Sequence, residues 1–286
     1  MRTIKCGERS SYQIRNTNIS GFLIKLHGFG SGVNVTPVDV PYKARITAKL
    51  YQKGFNGTIL DGTITGLAKG CARRVSDWIE SDTECTSVIV AAGASVIGQS
   101  IWLYRILLPQ VLNLNDDDVL DVEVELPSDS FTNHNASTSY LGIKEIYGIG
   151  SQMFIPRMRE YVMPALETRH EMHLGDNILR AVFVGAATNT PHNDGLEKVE
   201  VYSDRRQYIF DEEEILMEGL INEFEGVVVI DREEDEVRLV ATMDGQSNAA
   251  GDLRLVVTSY YINALIAADG TNRRNRHLKH IQEKIQ

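Results

Sequence analysis

The sequence predicts an all-β fold of two tandem jelly-roll β-sandwiches, a double jelly roll in which each sandwich carries a short inserted helix. Three observations support this prediction. Short runs with alternating apolar residues dominate the chain, as half-buried strands require. Turn-forming residues separate these runs at short intervals. A similar order of strands with one helix occurs in both halves, which indicates two related units.

The first half reads as about eight strands, the number that forms a jelly-roll sandwich. Val122 and Val124, for example, lie in a run where apolar and acidic residues alternate with period two. One stretch breaks this pattern, because Leu67, Cys71 and Val75 are spaced as on a helix, and it predicts a helix over residues 67–79. The predicted strands cover residues 12–14, 22–26, 44–51, 58–64, 87–91, 101–108, 119–126 and 141–147.

The second half has the stronger helix signal. Acidic residues 211–214 suit a first helical turn, an apolar face follows, and Gly226 is a suitable stop, so we expect a helix over residues 215–224. Residues 153–174 read as a link followed by the first strand of this unit. We place the domain boundary at residue 150, giving sandwiches of residues 1–150 and 151–286. The other predicted strands cover residues 178–184, 199–202, 207–210, 227–230, 237–242 and 253–262.

The composition is that of an ordinary globular protein, with 43% hydrophobic and 24% charged residues. No run approaches the roughly 18 apolar residues that span a bilayer. The N-terminus lacks the apolar core of a signal peptide, so we expect synthesis and assembly in a cytoplasm. Cys6, Cys71 and Cys85 are few, odd in number and without metal-ligand spacing, which favours free thiols over a disulfide framework.

Charge is distributed unevenly along the chain. Residues 272–286, the basic tail, hold five Lys or Arg and one Glu, which leaves 24 basic and 38 acidic residues, a net charge of −14, elsewhere. A body this acidic is repelled by phosphates, so no specific nucleic acid is expected as a partner. The tail suits a membrane or another partner, unless it is simply a solvated terminal helix. The residues expected to make this contact are Arg273, Arg274, Arg276 and Lys279.

No catalytic or cofactor-binding residues can be assigned from spacing. The glycines of residues 28–32 follow a strand but precede prolines rather than a helix, so a loop is expected instead of a phosphate cradle. His170 and His173 are three residues apart in an extended stretch, and would point to opposite faces rather than to one metal. Ser95 lacks the glycine spacing of a nucleophile elbow.

Two acidic segments are also candidate sites. Residues 115–118 contain three consecutive aspartates, which could supply some ligands for calcium but lack the spacing of an EF-hand loop. An acidic surface turn is the simpler interpretation, and we expect no cofactor. Residues 231–236 mix both charge signs and read as a solvated loop.

The layout resembles that of the double jelly-roll major capsid proteins of icosahedral, membrane-containing bacteriophages, closest to the corticovirus type and the related small flavobacterial phages. Residues 7–14 are similar to the lead into that family's first strand. Residues 155–161 followed by 179–186 are similar to its entry into the second barrel, and residues 252–261 to its last strand. The two predicted helices also occupy places where the family has short helices.

This resemblance implies a structural protein rather than an enzyme. It implies homotrimers with a nearly hexagonal footprint, which contact neighbouring capsomers and penton or spike proteins in a virion shell. The shell would enclose an internal viral membrane, which the basic tail would contact. Two other functions stay open at this point: a two-domain carbohydrate- or receptor-binding protein such as a spike or lectin, and a glycan hydrolase.

Overall fold

The computed structural model describes residues 1–32, 43–71, 90–92, 95–185, 195–221, 226–244 and 253–262. Within these ranges the chain forms eighteen strands and two helices. The strands are β1 (Arg2–Lys5), β2 (Glu8–Ile14), β3 (Thr17–Phe29), β4 (Arg45–Gln52), β5 (Phe55–Thr63), β6 (Val90–Ala92), β7 (Ser95–Ile97), β8 (Gln99–Leu114), β9 (Val119–Leu126), β10 (Tyr140–Tyr147), β11 (Ile155–Val162), β12 (Arg169–Gly175), β13 (Ile178–Gly185), β14 (Leu196–Tyr202), β15 (Gln207–Phe210), β16 (Gly226–Ile230), β17 (Val237–Met243) and β18 (Leu253–Tyr261). The helices are α1 (Ile64–Cys71) and α2 (Glu212–Ile221).

One eight-stranded sheet runs through both halves, in the order β16-β13-β18-β11-β5-β4-β9-β2. A four-stranded sheet, β1-β10-β3-β8, belongs to the first half, and another, β12-β17-β14-β15, to the second. Neighbouring residues of β18 contribute to different cores, Val256 to the first and Leu255 and Val257 to the second. Because successive side chains of a strand point to opposite faces, the two cores lie on opposite sides of the shared sheet.

Both sandwiches have jelly-roll connectivity. In the second, β11 to β18 alternate between the sheets β16-β13-β18-β11 and β12-β17-β14-β15, with β14 and β15 as neighbours. The first has the same arrangement in chain order when β1 to β5 are matched with β11 to β15, and β8, β9 and β10 with β16, β17 and β18. Its sheets β1-β10-β3-β8 and β2-β9-β4-β5 then correspond to β11-β18-β13-β16 and β12-β17-β14-β15. The prediction of an all-β double jelly roll is therefore confirmed.

The two helices occupy matching points, so the sequence interpretation of one shared insertion point is confirmed. Helix α1 lies in the connection from β5 to β8, and α2 lies between β15 and β16, the strands that match β5 and β8. Spacing identifies which residues form a strand or a helix, but strand pairing depends on distant parts of the chain. The repeat in the sequence therefore corresponds to two units of the same connectivity.

Helix bounds differ from the prediction by a few residues. Helix α1 begins at Ile64, three residues before the predicted start, and predicted residues 72–79 lie outside the described ranges. Helix α2 begins at Glu212 because Asp211 caps it: the Glu214 N–H donates to Asp211 Oδ1 at 3.0 Å, and the Asp211 N–H donates to Glu214 Oε2 at 3.3 Å. Gly226 starts β16 rather than ending the helix.

The predicted strand bounds agree with the structure more closely than the predicted helix bounds do. The bounds of β9 and β15 are those predicted, and β9 alternates between buried and partly exposed residues over its whole length. Residues 153–174 form two strands, β11 and β12, where one was expected. The chain between the halves runs from the end of β10 at Tyr147 to the start of β11 at Ile155. The boundary at residue 150 lies in this link and stays a prediction.

Candidate functional site: the junction between the sandwiches and a side cavity

The sandwiches meet at the junction, where β5 and α1 of the first contact β11, β13 and β18 of the second. Strands β5 and β11 are parallel neighbours, with Leu60 opposite Met158 and Asp61 opposite Arg159. Both Leu60 and Met158 are buried in the first core. The shared sheet therefore continues through the junction without a break in its apolar face.

Glu160 of β11 is the central polar residue of the junction. Its side chain is 1% exposed, and its carboxylate receives hydrogen bonds from the Thr63 backbone N–H and, at 2.7 Å, from the Thr63 hydroxyl. Thr63 immediately precedes α1, and its Oγ1 also accepts a bond from the Gly66 N–H at 3.1 Å. A carboxylate in this position is favoured because the N-terminus of a helix carries a partial positive charge.

Arg254 of β18 balances the charge of this carboxylate. Its Nε lies 3.6 Å from Glu160 Oε1, and its side chain is only 10% exposed. A buried carboxylate without a cation would carry a large desolvation cost, which the guanidinium of Arg254 offsets. One charged pair thus connects two strands of the second sandwich to the helix of the first.

Two glycines allow α1 to lie directly on the second sandwich. A Cβ atom at Gly66 would lie 2.2 Å from Glu160 Oε1, and one at Gly70 would lie 2.2 Å from Val256 Cγ1. Real Cβ atoms do not approach other atoms this closely, so any larger residue would push the helix away. Most of α1 is buried as a result, including Ile64, Leu67 and Lys69.

Aromatic pairs close the junction at the end where β18 terminates. The Phe154 and Tyr260 rings have centroids 4.7 Å apart, and those of Phe55 and Tyr261 are 5.2 Å apart. The Tyr260 hydroxyl donates to Glu233, and this hydrogen bond raises the pKa of Tyr260 to about 12. Both tyrosines therefore contact rings of the same chain, although Tyr261 remains 43% exposed.

A cavity of about 610 Å³, the side cavity, opens on the second sandwich between β13, β15, β16 and α2. Its lining combines apolar residues with charged ones of both signs. The lining residues are Arg180, Tyr208, Phe210, Glu218, Val228, Val229, Ile230, Asp231, Arg232 and Glu234. This volume lies within the range of small-molecule sites.

Glu234 forms the fixed polar wall of the side cavity. Its side chain is 4% exposed, and it accepts hydrogen bonds from the Ser203 hydroxyl at 2.8 Å and the Tyr208 hydroxyl at 2.9 Å. Arg232 Nε lies 3.4 Å from the same carboxylate. The expectation that residues 231–236 form a solvated loop is therefore wrong for Glu234, which points inward because Ser203 and Tyr208 supply buried donors.

The remaining sequence candidates have structural explanations where they are described. His170 and His173 lie on β12 with different partners, Glu167 at 3.4 Å and Glu171 at 3.6 Å, so they do not converge. Gly28 belongs to β3. The four tail residues Arg273, Arg274, Arg276 and Lys279 lie outside the described residues, as does Cys85.

The aspartate turn after β8 is braced by hydrogen bonds to Asp118, one from within the turn and one from β4. Asp118 is 5% exposed, and its Oδ2 accepts bonds from the Asn115 N–H at 2.9 Å and from Gln52 Nε2 at 3.1 Å. Across the described ranges, no three His, Cys, Asp or Glu residues are grouped so that they could hold a metal ion. Neither α1 nor α2 is long and apolar enough to cross a membrane, and no other helix is described.

Cys6 and Cys71 are thiols rather than members of a disulfide. Cys6 Sγ lies 3.4 Å from His134 Nε2, but partial burial raises the pKa of Cys6. The thiol form is therefore favoured, and this pair lacks the activated thiolate that nucleophilic catalysis requires.

Sequence reasoning missed Glu160, Arg254 and Glu234. The signal for Arg254 was present, because a single arginine stands within an apolar strand where a buried charge needs a partner. Nothing in the sequence pairs it with Glu160, since their strands become neighbours only after folding. Of the cavity elements, β15, α2 and β16 are consecutive along the chain, and β14 separates them from β13.

No protein-family model matches the sequence, and no curated protein matches it either. Solved structures, however, do match this chain. A chain in the atomic structure of Sulfolobus turreted icosahedral virus is 11% identical, with a TM-score of 0.51 and 93% of each chain covered. The major capsid protein P2 of bacteriophage PM2 is 10% identical, with a TM-score of 0.41, and the match covers 91% of this chain and 93% of P2.

The likeness to the Sulfolobus virus chain extends over nearly the whole protein, and at this identity it establishes a shared fold. The class of protein is thus a double jelly-roll β-sandwich protein. The resemblance to double jelly-roll capsid proteins inferred from the sequence is confirmed at the level of the fold.

Proposed function

We propose that this chain is a viral structural protein, the major capsid protein of an icosahedral shell built over an internal membrane. The observation that carries this proposal is the shared fold over 93% of the chain with a protein of an icosahedral virus. A structural rather than an enzymatic role follows from this proposal, and it needs no cofactor.

The junction supports a building-block role. A shell subunit must keep a fixed shape so that its contacts with neighbours recur identically in every copy. Here the shared sheet, the buried α1 and the Glu160–Arg254 pair join two sandwiches into one block. Relative motion of the sandwiches would break strand pairing and expose a buried charge, both of which are costly.

Three such blocks would form the homotrimer that the resemblance implies. Each block contributes two sandwiches of the same connectivity, so a trimer presents six and has a nearly hexagonal outline, which packs efficiently in a shell. Neighbouring trimers would be the main partners, with penton or spike proteins at the vertices. The chain would be made in the host cytoplasm and end in the virion capsid.

The basic tail would contact the internal membrane. Arg273, Arg274, Arg276 and Lys279 provide most of its positive charge, and each basic residue near an anionic lipid surface contributes about 1 kcal/mol. The rest of the chain has a net charge of −14, so it would be repelled by the same surface. The tail is therefore the segment suited to bridge body and lipid.

Expression of the full chain, followed by negative-stain electron microscopy, tests the capsid role. We expect uniform particles with a hexagonal outline, or sheets and shells built from them. Isolated single subunits that bind glycans on an array would instead favour the receptor-binding alternative.

A deletion of residues 272–286 tests the role of the tail. The shortened protein should still assemble but should float less with anionic liposomes than the full chain. Unchanged liposome flotation would contradict the membrane role of the tail, and it would leave the capsid role untouched.

A further inference from the structure

The side cavity carries charges of both signs on an apolar floor. Arg180 and Arg232 supply two guanidinium groups, and Glu218, Asp231 and Glu234 supply three carboxylates. Arg180 is held in the wall, with its side chain 10% exposed and its Nη1 4.0 Å from Asp231 Oδ1. A ligand with a single charge would meet both attraction and repulsion here, whereas a ligand with one positive and one negative group can satisfy both sets.

The surroundings disfavour a simple anion. Residues 231–236 contain five acidic residues and one arginine, a net charge of −4, beside the cavity mouth. Phosphate or sulfate alone would approach against this field. A zwitterion has no net charge, and its cationic end is attracted to the same loop.

We propose that the side cavity binds an ammonium–phosphate zwitterion of the phosphoethanolamine type. Its phosphate lies toward Arg180 and Arg232, since guanidinium groups bind phosphate oxygens through paired hydrogen bonds. Its ammonium lies toward Glu218 and Asp231. The apolar lining residues Phe210 and Val228 accommodate the carbon chain that follows the phosphate.

The lining selects a primary ammonium over a trimethylammonium group. Carboxylates accept the three N–H bonds of an ammonium, which trimethylammonium cannot donate. Trimethylammonium groups are instead bound by open aromatic faces. Of the two aromatic rings in the lining, that of Tyr208 is covered by the Arg232 guanidinium, which lies 5.2 Å from its centroid, and Phe210 alone does not form an aromatic cage.

The position of the cavity gives the source of this ligand. The loop of residues 231–236 is joined to the end of β18 by the hydrogen bond between Glu233 and Tyr260. Ten residues separate the end of β18 from the start of the basic tail. If the tail reaches a membrane, the cavity faces the same side, and the ligand is a phosphatidylethanolamine headgroup. This assignment of the source rests on the proposed membrane contact, whereas the chemistry of the cavity does not.

Calorimetric titration of the full chain with sn-glycero-3-phosphoethanolamine tests the proposed ligand selectivity of the side cavity. We expect binding at least tenfold tighter than that of glycerophosphocholine, ethanolamine or inorganic phosphate. Glu218→Gln and Arg232→Gln should each weaken it at least tenfold, while Glu212→Gln, an exposed change on the same helix, should not. Thermal unfolding of each variant checks that the fold is kept.

Several results would overturn the proposal. Phosphate binding as tight as that of the zwitterion would make the cavity an anion site, and equal binding of glycerophosphocholine would remove the selectivity for a primary ammonium. No heat of binding from the intact protein would also refute it.

Flotation with vesicles of phosphatidylcholine, with and without phosphatidylethanolamine, tests whether a membrane headgroup is the source of the ligand. Stronger flotation with phosphatidylethanolamine, lost in Arg232→Gln, supports the headgroup. Binding of the soluble zwitterion without vesicle flotation would support the cavity chemistry and contradict a membrane headgroup as the source of the ligand.

Discussion

Glu160 and Arg254 form an ion pair at the junction of the two sandwiches, with side chains 1% and 10% exposed and a separation of 3.6 Å between Oε1 and Nε. The pair lies at the N-terminus of α1, a helix that belongs to the other sandwich. It therefore joins secondary-structure elements from both halves of the chain. Loss of this ion pair should lower the stability of the whole two-sandwich block.

Replacing Glu160 with Gln should destabilise the protein by about 3–5 kcal/mol, because it leaves a buried guanidinium without its balancing charge. Chemical denaturation followed by circular dichroism measures the change. The double variant Glu160→Gln/Arg254→Met should recover part of the loss. As a control, Arg9→Gln removes an exposed pair with Glu123 and should leave the midpoint nearly unchanged. Equal effects of Glu160→Gln and Arg9→Gln would show that the junction pair is unimportant.

Replacing Gly70 with Ala should separate α1 from the second sandwich. The added Cβ would lie 2.2 Å from Val256 Cγ1, and overpacking of this kind costs about 1–3 kcal/mol. The second change Val256→Ala should restore part of the stability by making room. Gly150→Ala is the matched control, since its Cβ would meet Val111 Cγ2 at an ordinary 3.4 Å. A fully stable Gly70→Ala protein would contradict the close packing of α1.

Acidification should destabilise the first sandwich through His27. Burial lowers the pKa of His27 below its usual 6.5, and the ring contacts Tyr140 and Gln99. The unfolded chain therefore takes up this proton at a higher pH than the folded chain does. Stability from this group is complete above pH 6.5 and declines as the pH falls toward the lower folded pKa.

The unfolding free energy measured from pH 7.5 to 5 checks this expectation. His27→Gln should flatten the decline over that interval. An unchanged pH dependence in the variant would show that other groups cause it.

Calcium should not stabilise the protein through the aspartate turn. The Asp118 carboxylate already accepts hydrogen bonds from Asn115 and Gln52, so a cation would have to displace them. We expect the thermal midpoint to be the same in millimolar calcium and in a chelator. A rise of several degrees with calcium, abolished by Asp116→Asn, would show that the turn is a metal site.

The sequence was sufficient to predict most strands, because a strand with one buried face imposes alternation locally. Residues of β9 alternate along the whole strand, and its bounds were predicted correctly. The acidic first turn of α2 was also recognisable, since capping by Asp211 depends only on residues three apart.

The arrangement of the strands and helices could not be predicted from local sequence patterns. Strands β5 and β11 are neighbours although nearly a hundred residues separate them, and their pairing creates both the shared sheet and the environment of Glu160. Glu234 was assigned to solvent because its burial depends on Ser203 and Tyr208, which come from another hairpin.

Size-exclusion chromatography with light scattering on the purified full chain tests the central claim most directly. The capsid account predicts a stable species of three times the 32.0 kDa chain mass, or larger assemblies built from it. A protein that stays at the mass of one chain across the accessible concentration range would contradict it.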